Sequence, residues 1–247
     1  MRKSRKHTNK IRSFILENVE EHPRDITSFT AERFDLTRNA VLYHLNQFIG
    51  EGLIAVHGST KDRRYELIPI ARDTFKTEIS SDLEEDQIWF HVIRPNLKDL
   101  PDNVLRICEY GLNEMINNAL EHSGGDQLTI RFEQYAPKIT FSVIDDGVGI
   151  FQKIKREFNL NDPRHAILEL AKGKLTTDPE HHSGEGIFFT SRMFDRFVIL
   201  SKGLYFSHQD PDDDWLLEHQ LHVKGTAVQM SIATDSDRKV NEVFDRF

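Results

Sequence analysis

The chain has 247 residues, of which 29% are charged and 38% hydrophobic, with a formal net charge of −8. This composition is typical of a globular protein with room for one large domain or two small ones. There is no apolar run of about eighteen residues, the length with which a helix spans a bilayer, so no membrane span is expected. The single cysteine, Cys108, excludes an internal disulfide and predicts a cytoplasmic location, because free thiols suit a reducing compartment.

Charge is distributed unevenly along the chain. Residues 1–70 contain 12 basic and 9 acidic residues, whereas the remainder contains 20 basic and 31 acidic residues. Such asymmetry indicates that the two parts meet different partners. We predict one domain at residues 1–70, an acidic linker at 71–87, a second domain at 88–233, and the start of a further C-terminal element at 234–247. The helical pattern in that last segment leads us to expect that the chain is a fragment of a longer protein.

The first domain is predicted to contain three helices followed by two short strands. The third helix, residues 37–48, is capped by Thr37 and stopped by Gly50, and the strands at 53–56 and 64–68 flank a polar hairpin. This order resembles the winged helix-turn-helix of bacterial transcription regulators. The resemblance implies that the third helix reads the major groove of double-stranded DNA and that the hairpin contacts phosphates. A protein-interaction module is the alternative, because the excess of basic residues is small. The projecting residues would be Arg38, Asn39, Tyr43 and His44 on the helix, and Lys61, Arg63 and Arg64 on the hairpin.

The second domain is predicted to begin with a strand at residues 88–93, followed by a long helix that carries a polar stripe. Glu114, Asn118 and His122 are each four residues apart, so they lie on one flank of that helix. The amide oxygen of Asn118 is a hard ligand suited to Mg²⁺, which keeps several waters and also binds phosphate oxygens. Glu114 is placed to take a proton from an attacking water or hydroxyl. A solvated helix face without chemistry is the alternative interpretation.

Three turns that contain glycine follow the helix. The first comes directly after a buried strand, so its carboxylate could accept from the amino group of an adenine while its glycines let backbone approach a flat ligand. The second opens a helix and exposes N–H groups to a phosphate. The third precedes the last strand, and each turn alone also fits an ordinary loop. Their members are Asp145, Gly147 and Gly149, then Gly184 and Gly186, and finally Gly225 and Thr226.

These four motifs, in this order, resemble those of the GHKL ATPase superfamily, which includes gyrase, the heat-shock ATPase chaperones, MutL and sensor histidine kinases. The resemblance covers residues 88–233 and implies a two-layer α/β sandwich of the Bergerat ATP-binding type. The whole chain is therefore expected to be α/β (α+β), with an N-terminal winged helix. By this likeness Asn118 holds the Mg²⁺ of bound ATP, Glu114 is the general base and Asp145 reads adenine. Further nucleotide contacts are implied for His122, Gly147, Gly149, Gly184, Gly186 and Thr226.

Residues 113–123 are most similar to the anti-sigma-factor serine kinases, which carry the pattern E-x-x-x-N-A-x-x-H. Sensor histidine kinases usually have Asn at the position of Glu114, which argues against autophosphorylation on histidine. The implied function is an Mg²⁺-ATP-binding regulatory protein with ATPase or serine/threonine kinase activity, coupled to a DNA- or protein-binding winged helix. The alternative is a non-enzymatic, nucleotide-sensing transcriptional regulator. A protein substrate, a regulatory partner and a homodimer are left open.

The segment between the first two glycine turns is predicted to hold helices at residues 151–158 and 163–171. In the resembled superfamily this region is a lid over the nucleotide. Lys172 or Lys174 would meet the phosphates there, and solvated loop lysines are the alternative interpretation. The pair His181-His182 suggests a metal ligand, but carboxylates and thiols at zinc spacings are lacking nearby.

Overall fold

The structure is a computed structural model that describes residues 2–166, 185–209, 213–218 and 223–246. The chain divides into two compact units. Unit 1 comprises Met1–Ala71 with Gln134–Lys138, and unit 2 comprises Arg72–Glu133 with Ile139–Phe247. In the part of the chain that is described, no helix combines the length and the apolar character that crossing a membrane requires.

Unit 1 contains the predicted order of three helices and a hairpin. The helices are α1 (Arg2–Asn18), α2 (Ile26–Phe34) and α3 (Arg38–Gly50), and the antiparallel strands are β1 (Ile54–His57) and β2 (Arg64–Leu67). Helix α3 begins after Thr37, whose hydroxyl accepts from the backbone N–H of Ala40, so the predicted cap is present. Fully buried Ile15, Leu45 and Phe48 belong to the hydrophobic core of the unit.

A seven-stranded sheet is the central feature of the rest of the chain. Its strand order is β3-β4-β5-β9-β6-β7-β8, in which β6 pairs antiparallel with both β7 and β9, and β7 pairs antiparallel with β8. The strands are β3 (Ala71–Glu78), β4 (Gln127–Gln134), β5 (Lys138–Asp145), β6 (Arg196–Ser201), β7 (Leu204–Gln209), β8 (Asp213–Glu218) and β9 (Thr226–Ala233). A hydrogen bond from the backbone N–H of Thr226 to Oδ1 of Asp145 shows that the end of β5 lies next to the start of β9.

The sheet and the long helix that follows each bury one apolar face, and the fold is a mixed α/β arrangement. Alternate residues of β5 are buried, among them Ile139, Phe141 and Val143, as expected for a strand with one covered face. The long helix α5 (Asp102–His122) likewise buries one face, which includes Leu112 and Ile116. Among the described residues, the other α-helices of this part of the chain are α4 (Glu85–Ile88), α6 (Ile150–Glu157), α7 (Gly186–Met193) and α8 (Val240–Arg246).

Residues 71–93 differ from the sequence prediction. The first part of the predicted linker is the edge strand β3, whose mostly exposed side chains give only a weak apolar alternation. The predicted strand at 88–93 is wrong, because α4 continues there into a π-helical turn, Trp89–Ile93, and then a 3-10 turn, Arg94–Asn96. Ile88, Trp89 and Ile93 are buried while Phe90 is 55% exposed, which is the burial pattern of one helical face and not of a strand.

Candidate functional site

The polar stripe of α5 lies as predicted along the edge of the buried face. Glu114, Asn118 and His122 are each partly exposed, whereas Met115 and Ala119 are buried. The side-chain Nδ2 of Asn118 donates to the backbone carbonyl of Glu114 at 2.7 Å. Because this bond uses the amide nitrogen, the amide oxygen is the atom that Asn118 can offer to a cation.

Asp145 ends β5 and is the centre of a buried hydrogen-bond network. Its side chain is only 8% exposed, and its Oδ1 accepts from the backbone N–H of Gly147 at 2.9 Å and of Thr226 at 3.2 Å. The hydroxyl of Thr226 in turn accepts from the N–H of Ile150, the first residue of α6, at 3.0 Å. Burial raises the pKa of Asp145, and the hydrogen bonds from Gly147 and Thr226 oppose that shift. The network joins the end of β5 and the start of β9 to the start of α6.

Two glycines of the motifs are required by packing around Asp145. A Cβ at Gly225 would lie 2.2 Å from Oδ1 of Asp145, and a Cβ at Gly147 would lie 2.1 Å from the carbonyl oxygen of Ser123. The same carbonyl accepts from the N–H of Val148 at 2.9 Å, which joins the end of α5 to the first glycine turn. Glycine is therefore needed at these positions because other parts of the same chain come very close to them. The sequence interpretation had considered only the close approach of a ligand.

Asp146 is an anchoring residue that sequence reasoning missed. Its Oδ1 accepts from the backbone N–H groups of Asp126 at 2.8 Å and Gln127 at 2.9 Å, and its Oδ2 accepts from Nζ of Lys224 at 2.8 Å. The hydrogen bond from Lys224 is the largest cause that lowers the pKa of Asp146 to about 2. The Asp145-Asp146 doublet was the available signal, but only tertiary contacts show which carboxylate faces the interior and which binds the start of β4.

Glu114 lies against the second glycine motif. A Cβ at Gly186, the first residue of α7, would lie 1.9 Å from Oε2 of Glu114, so a larger residue there would displace this carboxylate. Tyr110 lies one turn earlier on α5. Burial, followed by the charges of Glu114 and Glu185, raises the pKa of Tyr110. Sequence reasoning missed Tyr110, which reads as an ordinary aromatic residue on a helix.

The C-terminal end of α5 is joined to α6 through Lys153. Nζ of Lys153 donates to the backbone carbonyl of His122 at 3.1 Å and lies 3.6 Å from Oε1 of Glu157. The imidazole of His122 is 30% exposed, with Nε2 3.9 Å from the carboxylate of Glu121. Lys153 therefore brings a cation close to the polar stripe. Sequence reasoning missed Lys153, because a lysine in a charged helix carries no local signal of this contact.

Several predicted site residues fall outside the described residues. These are Lys172, Gly184 and the alternatives Lys174, His181 and His182. Within the described ranges, no group of three or more His, Cys, Asp and Glu residues could hold a metal ion. The predicted Mg²⁺ ligand, Asn118, is an amide and would share the ion with phosphate oxygens and water.

The residues predicted to read DNA lie on α3 and the hairpin of unit 1. Arg38 and Asn39 are exposed at the start of α3, and Tyr43 is 61% exposed. His44 is half-buried, and burial is the first cause that lowers its pKa, followed by the charge of Arg12. On the hairpin, Arg63 and Arg64 are exposed, and Lys61 lies in the 3-10 turn Thr60–Asp62, with its side chain outside the described set.

Comparison with known proteins agrees with this geometry. No curated protein matches the chain. The family model of the histidine kinase-like ATPase domain matches residues 79–204, just over half of the chain. The match includes the polar stripe of α5, the Asp145 turn and Gly186, and it starts directly after β3. The chain therefore belongs to the histidine kinase-like ATPase domain family, a group of the GHKL type.

Proposed function

We propose that unit 2 binds Mg²⁺-ATP and acts on its γ-phosphate. The observation that carries this proposal is the juxtaposition of a buried, hydrogen-bonded Asp145 with the two glycine turns and Thr226. The two oxygens of a carboxylate provide about four acceptor positions, so Asp145 can also accept from the amino group of adenine. Gly147 and Gly149 would line the same side of the base.

Asn118 would coordinate the Mg²⁺ of the nucleotide. Its amide nitrogen is engaged by the carbonyl of Glu114, which fixes the amide plane and leaves a hard oxygen for the ion. When bound, Mg²⁺ neutralises phosphate charge and orients the γ-phosphoryl group. His122 and the N–H groups around Gly186 would contact the phosphates. The same role is proposed for Lys172 and Gly184.

Glu114 would be the general base. Its carboxylate, one helical turn before Asn118, would accept the proton of a water or of a serine or threonine hydroxyl as that oxygen attacks the γ-phosphorus and ADP leaves. Attack by water makes the protein an ATPase switch, and attack by a hydroxyl makes it a kinase of a partner protein. The likeness of residues 113–123 to anti-sigma-factor kinases supports the second reaction.

Unit 1 would couple this chemistry to a target as a winged helix. The proposal is supported by three helices, a two-stranded hairpin and the exposed polar side chains at the start of α3. Arg38, Asn39, Tyr43 and His44 would meet base edges in the major groove, and Arg63 and Arg64 would meet phosphates. A protein partner for the same surface is the other form of this proposal. Assembly as a homodimer remains a prediction.

A second candidate is a non-enzymatic regulator that senses ATP and binds DNA. One observation favours it: the carboxylate of Glu114 lies against Gly186, an arrangement that also suits a purely structural role. In such a protein the bound nucleotide stays intact.

The fate of γ-labelled phosphate from Mg²⁺-ATP tests the proposal. The full chain is incubated with label in the presence and absence of a cell extract that lacks this protein, beside Glu114→Gln. Label on one extract protein supports a kinase, and free phosphate that Glu114→Gln abolishes supports an ATPase. Bound but intact ATP would favour the sensor instead. Absence of ATP binding would contradict the proposal altogether.

A further inference from the structure

Gly111 lies in the interior of α5, three residues before Glu114 and outside the four sequence motifs. After proline, glycine is the residue that most destabilises a helix interior, because its backbone loses the most freedom on folding. A glycine in such a place calls for a packing reason. Gly111 belongs to the buried residues of α5, and α5 packs against α7. The packing reason is therefore to be found where these two helices meet.

The end of α7 and the residue that follows it occupy the space beside Gly111. A Cβ added at Gly111 would lie 2.4 Å from Cε2 and 3.0 Å from Cζ of Phe194, and 3.1 Å from Cγ2 of Thr190. Phe194 and Thr190 are both 0% exposed, so neither side chain can turn towards solvent without leaving the core. The absent side chain of Gly111 thus leaves the space that the Phe194 ring fills.

This contact lies one helical turn away from the contact between Glu114 and Gly186. Gly111 and Glu114 are three residues apart on α5, and Gly186 and Thr190 are four apart on α7, so each pair lies on one helix face. The Glu114 carboxylate lies against Gly186, with Oε2 1.9 Å and Cδ 2.9 Å from the position of an added Cβ. Because the order of contacts runs in opposite directions along the two helices, both contacts belong to one antiparallel interface.

We propose that Gly111 is a positioning residue for the reaction at the γ-phosphate, because the space it leaves for Phe194 sets the separation of α5 and α7. This inference rests on the proposed roles of Glu114 as general base and of the N–H groups around Gly186 as phosphate ligands. With the base on α5 and the phosphates bound at the start of α7, the separation of the helices sets the distance between the base and the attacking oxygen. A misplacement of about 1 Å can lower a reaction rate about a hundredfold.

Gly111→Ala in the full chain adds one methyl group, which would press on the ring of Phe194 and move α7 away from α5. We expect kcat for γ-phosphate release or transfer to fall about tenfold to a hundredfold. The affinity for adenosine should stay within about twofold, because adenosine would contact the Asp145 side of the site, on β5 and β9, and not α7. Gly50→Ala is the matched control, since Gly50 is also in a helix and nothing lies within 4 Å of its added Cβ. That control should leave kcat and the adenosine affinity unchanged.

Phe194→Leu supplies a rescue of Gly111→Ala. It removes Cε2 and Cζ, the two ring atoms nearest to the added methyl group, and by itself leaves a cavity beside Gly111. Alone it should lower the urea midpoint of unfolding, with kcat within about twofold of wild type, because a cavity does not push the helices apart. In the double variant the methyl group fills that cavity, so kcat should return to within about threefold of wild type. A purely structural role of Gly111 would not restore kcat in this way, because kcat is measured on folded protein well below each midpoint.

The outcomes separate this inference from the proposed function. Wild-type kcat in Gly111→Ala, together with an inactive Glu114→Gln, would overturn the positioning role and leave Glu114 as base. A kcat that stays low in the double variant would also overturn it, since the contact with Phe194 would then not be the cause. If Gly111→Ala alone does not fold, the double variant decides in the same way. A fully active Glu114→Gln, or a wild-type protein that retains bound ATP intact, would remove the proposed function and the role of Gly111 with it.

Discussion

Asn118 donates its side-chain Nδ2 to the backbone carbonyl of Glu114, 2.7 Å away and one helical turn earlier. The bond joins the proposed metal ligand directly to the residue that carries the proposed base. Because the amide nitrogen is used in this way, the orientation of the amide oxygen is set by the helix itself. On the proposed assignment of Asn118 as Mg²⁺ ligand, its amide oxygen is oriented before nucleotide arrives.

Asn118→Ala should remove the Mg²⁺ dependence of ATP binding. We expect wild-type protein to bind ATP more tightly with Mg²⁺ than with a chelator. In the variant the affinity for ATP in the presence of Mg²⁺ should fall about tenfold to a hundredfold, the range seen when interactions at metal sites are lost. Titration calorimetry in both conditions measures it. The neighbouring, partly exposed Asn117 offers the control Asn117→Ala. Equal Mg²⁺ dependence in wild type and Asn118→Ala would mean that Asn118 is not the ligand.

Asp145→Asn should reduce recognition of the adenine amino group. Inosine triphosphate has a carbonyl oxygen in place of that group, so we expect wild-type protein to prefer ATP by about tenfold, the value of roughly one lost hydrogen bond to a charged group. The variant should lose this preference, as measured by competition binding. Asp146→Asn is the control. It should change the affinity for both nucleotides by the same factor, because Asp146 binds Lys224 and backbone N–H groups. An intact preference in Asp145→Asn would contradict the assignment.

Asp146 should make stability depend on pH in the acid range. Hydrogen bonds from Lys224, Gln127 and Asp126 lower its folded-state pKa to about 2, below the ordinary value near 4. The native state therefore binds this proton less tightly than the unfolded chain, and the stabilisation is complete above the unfolded pKa and lost as the pH falls through about 2. Urea midpoints of Asp146→Asn should lie below those of wild type at pH 7 and approach them at pH 3. A constant difference across that range would be inconsistent with this origin.

Gly225→Ala should destabilise the fold. Its Cβ would lie 2.2 Å from Oδ1 of Asp145 and 2.4 Å from the N–H nitrogen of Gly147, and both are parts of a buried network that cannot move apart freely. We expect a loss of about 1–3 kcal/mol in the free energy of unfolding, the usual cost of overpacking. Gly50→Ala is the control, because nothing lies within 4 Å of its added Cβ and Gly50 is in a helix, so this change should leave the protein at least as stable as wild type. Equal urea midpoints for Gly225→Ala and wild type would disprove the packing requirement.

Arg63→Ala with Arg64→Ala should weaken DNA binding, if unit 1 is a winged helix on duplex DNA. Both residues are exposed on the hairpin. The slope of log affinity against log salt should become less steep by about two, because each phosphate contact releases close to one counterion. Fluorescence anisotropy over a salt series measures it, with exposed Arg94→Ala as control. If wild-type protein shows no salt-dependent binding to any duplex pool, the DNA-binding proposal is wrong and this surface is assigned to a protein partner.

Local pattern explains where sequence reasoning succeeded. The helix of α5, the strand that ends at Asp145 and the element order of unit 1 follow from periodicity and turn residues, which act over a few positions. It failed at residues 88–93, where apolar residues that suit a strand form a π-helical turn. There the burial of Trp89 and Ile93 together decides the conformation, and that depends on packing partners distant in sequence.

The sequence by itself determined the chemistry of the chain: a carboxylate and an amide one turn apart, then glycine turns in a fixed order. Tertiary structure alone decided which of these groups meet. Gly186 lies against Glu114 because α7 packs against α5. Gly225 lies against Asp145, and Lys224 binds Asp146, because β9 is placed beside β5. No local propensity reports such contacts, since they arise when residues far apart in the chain bury their apolar faces together.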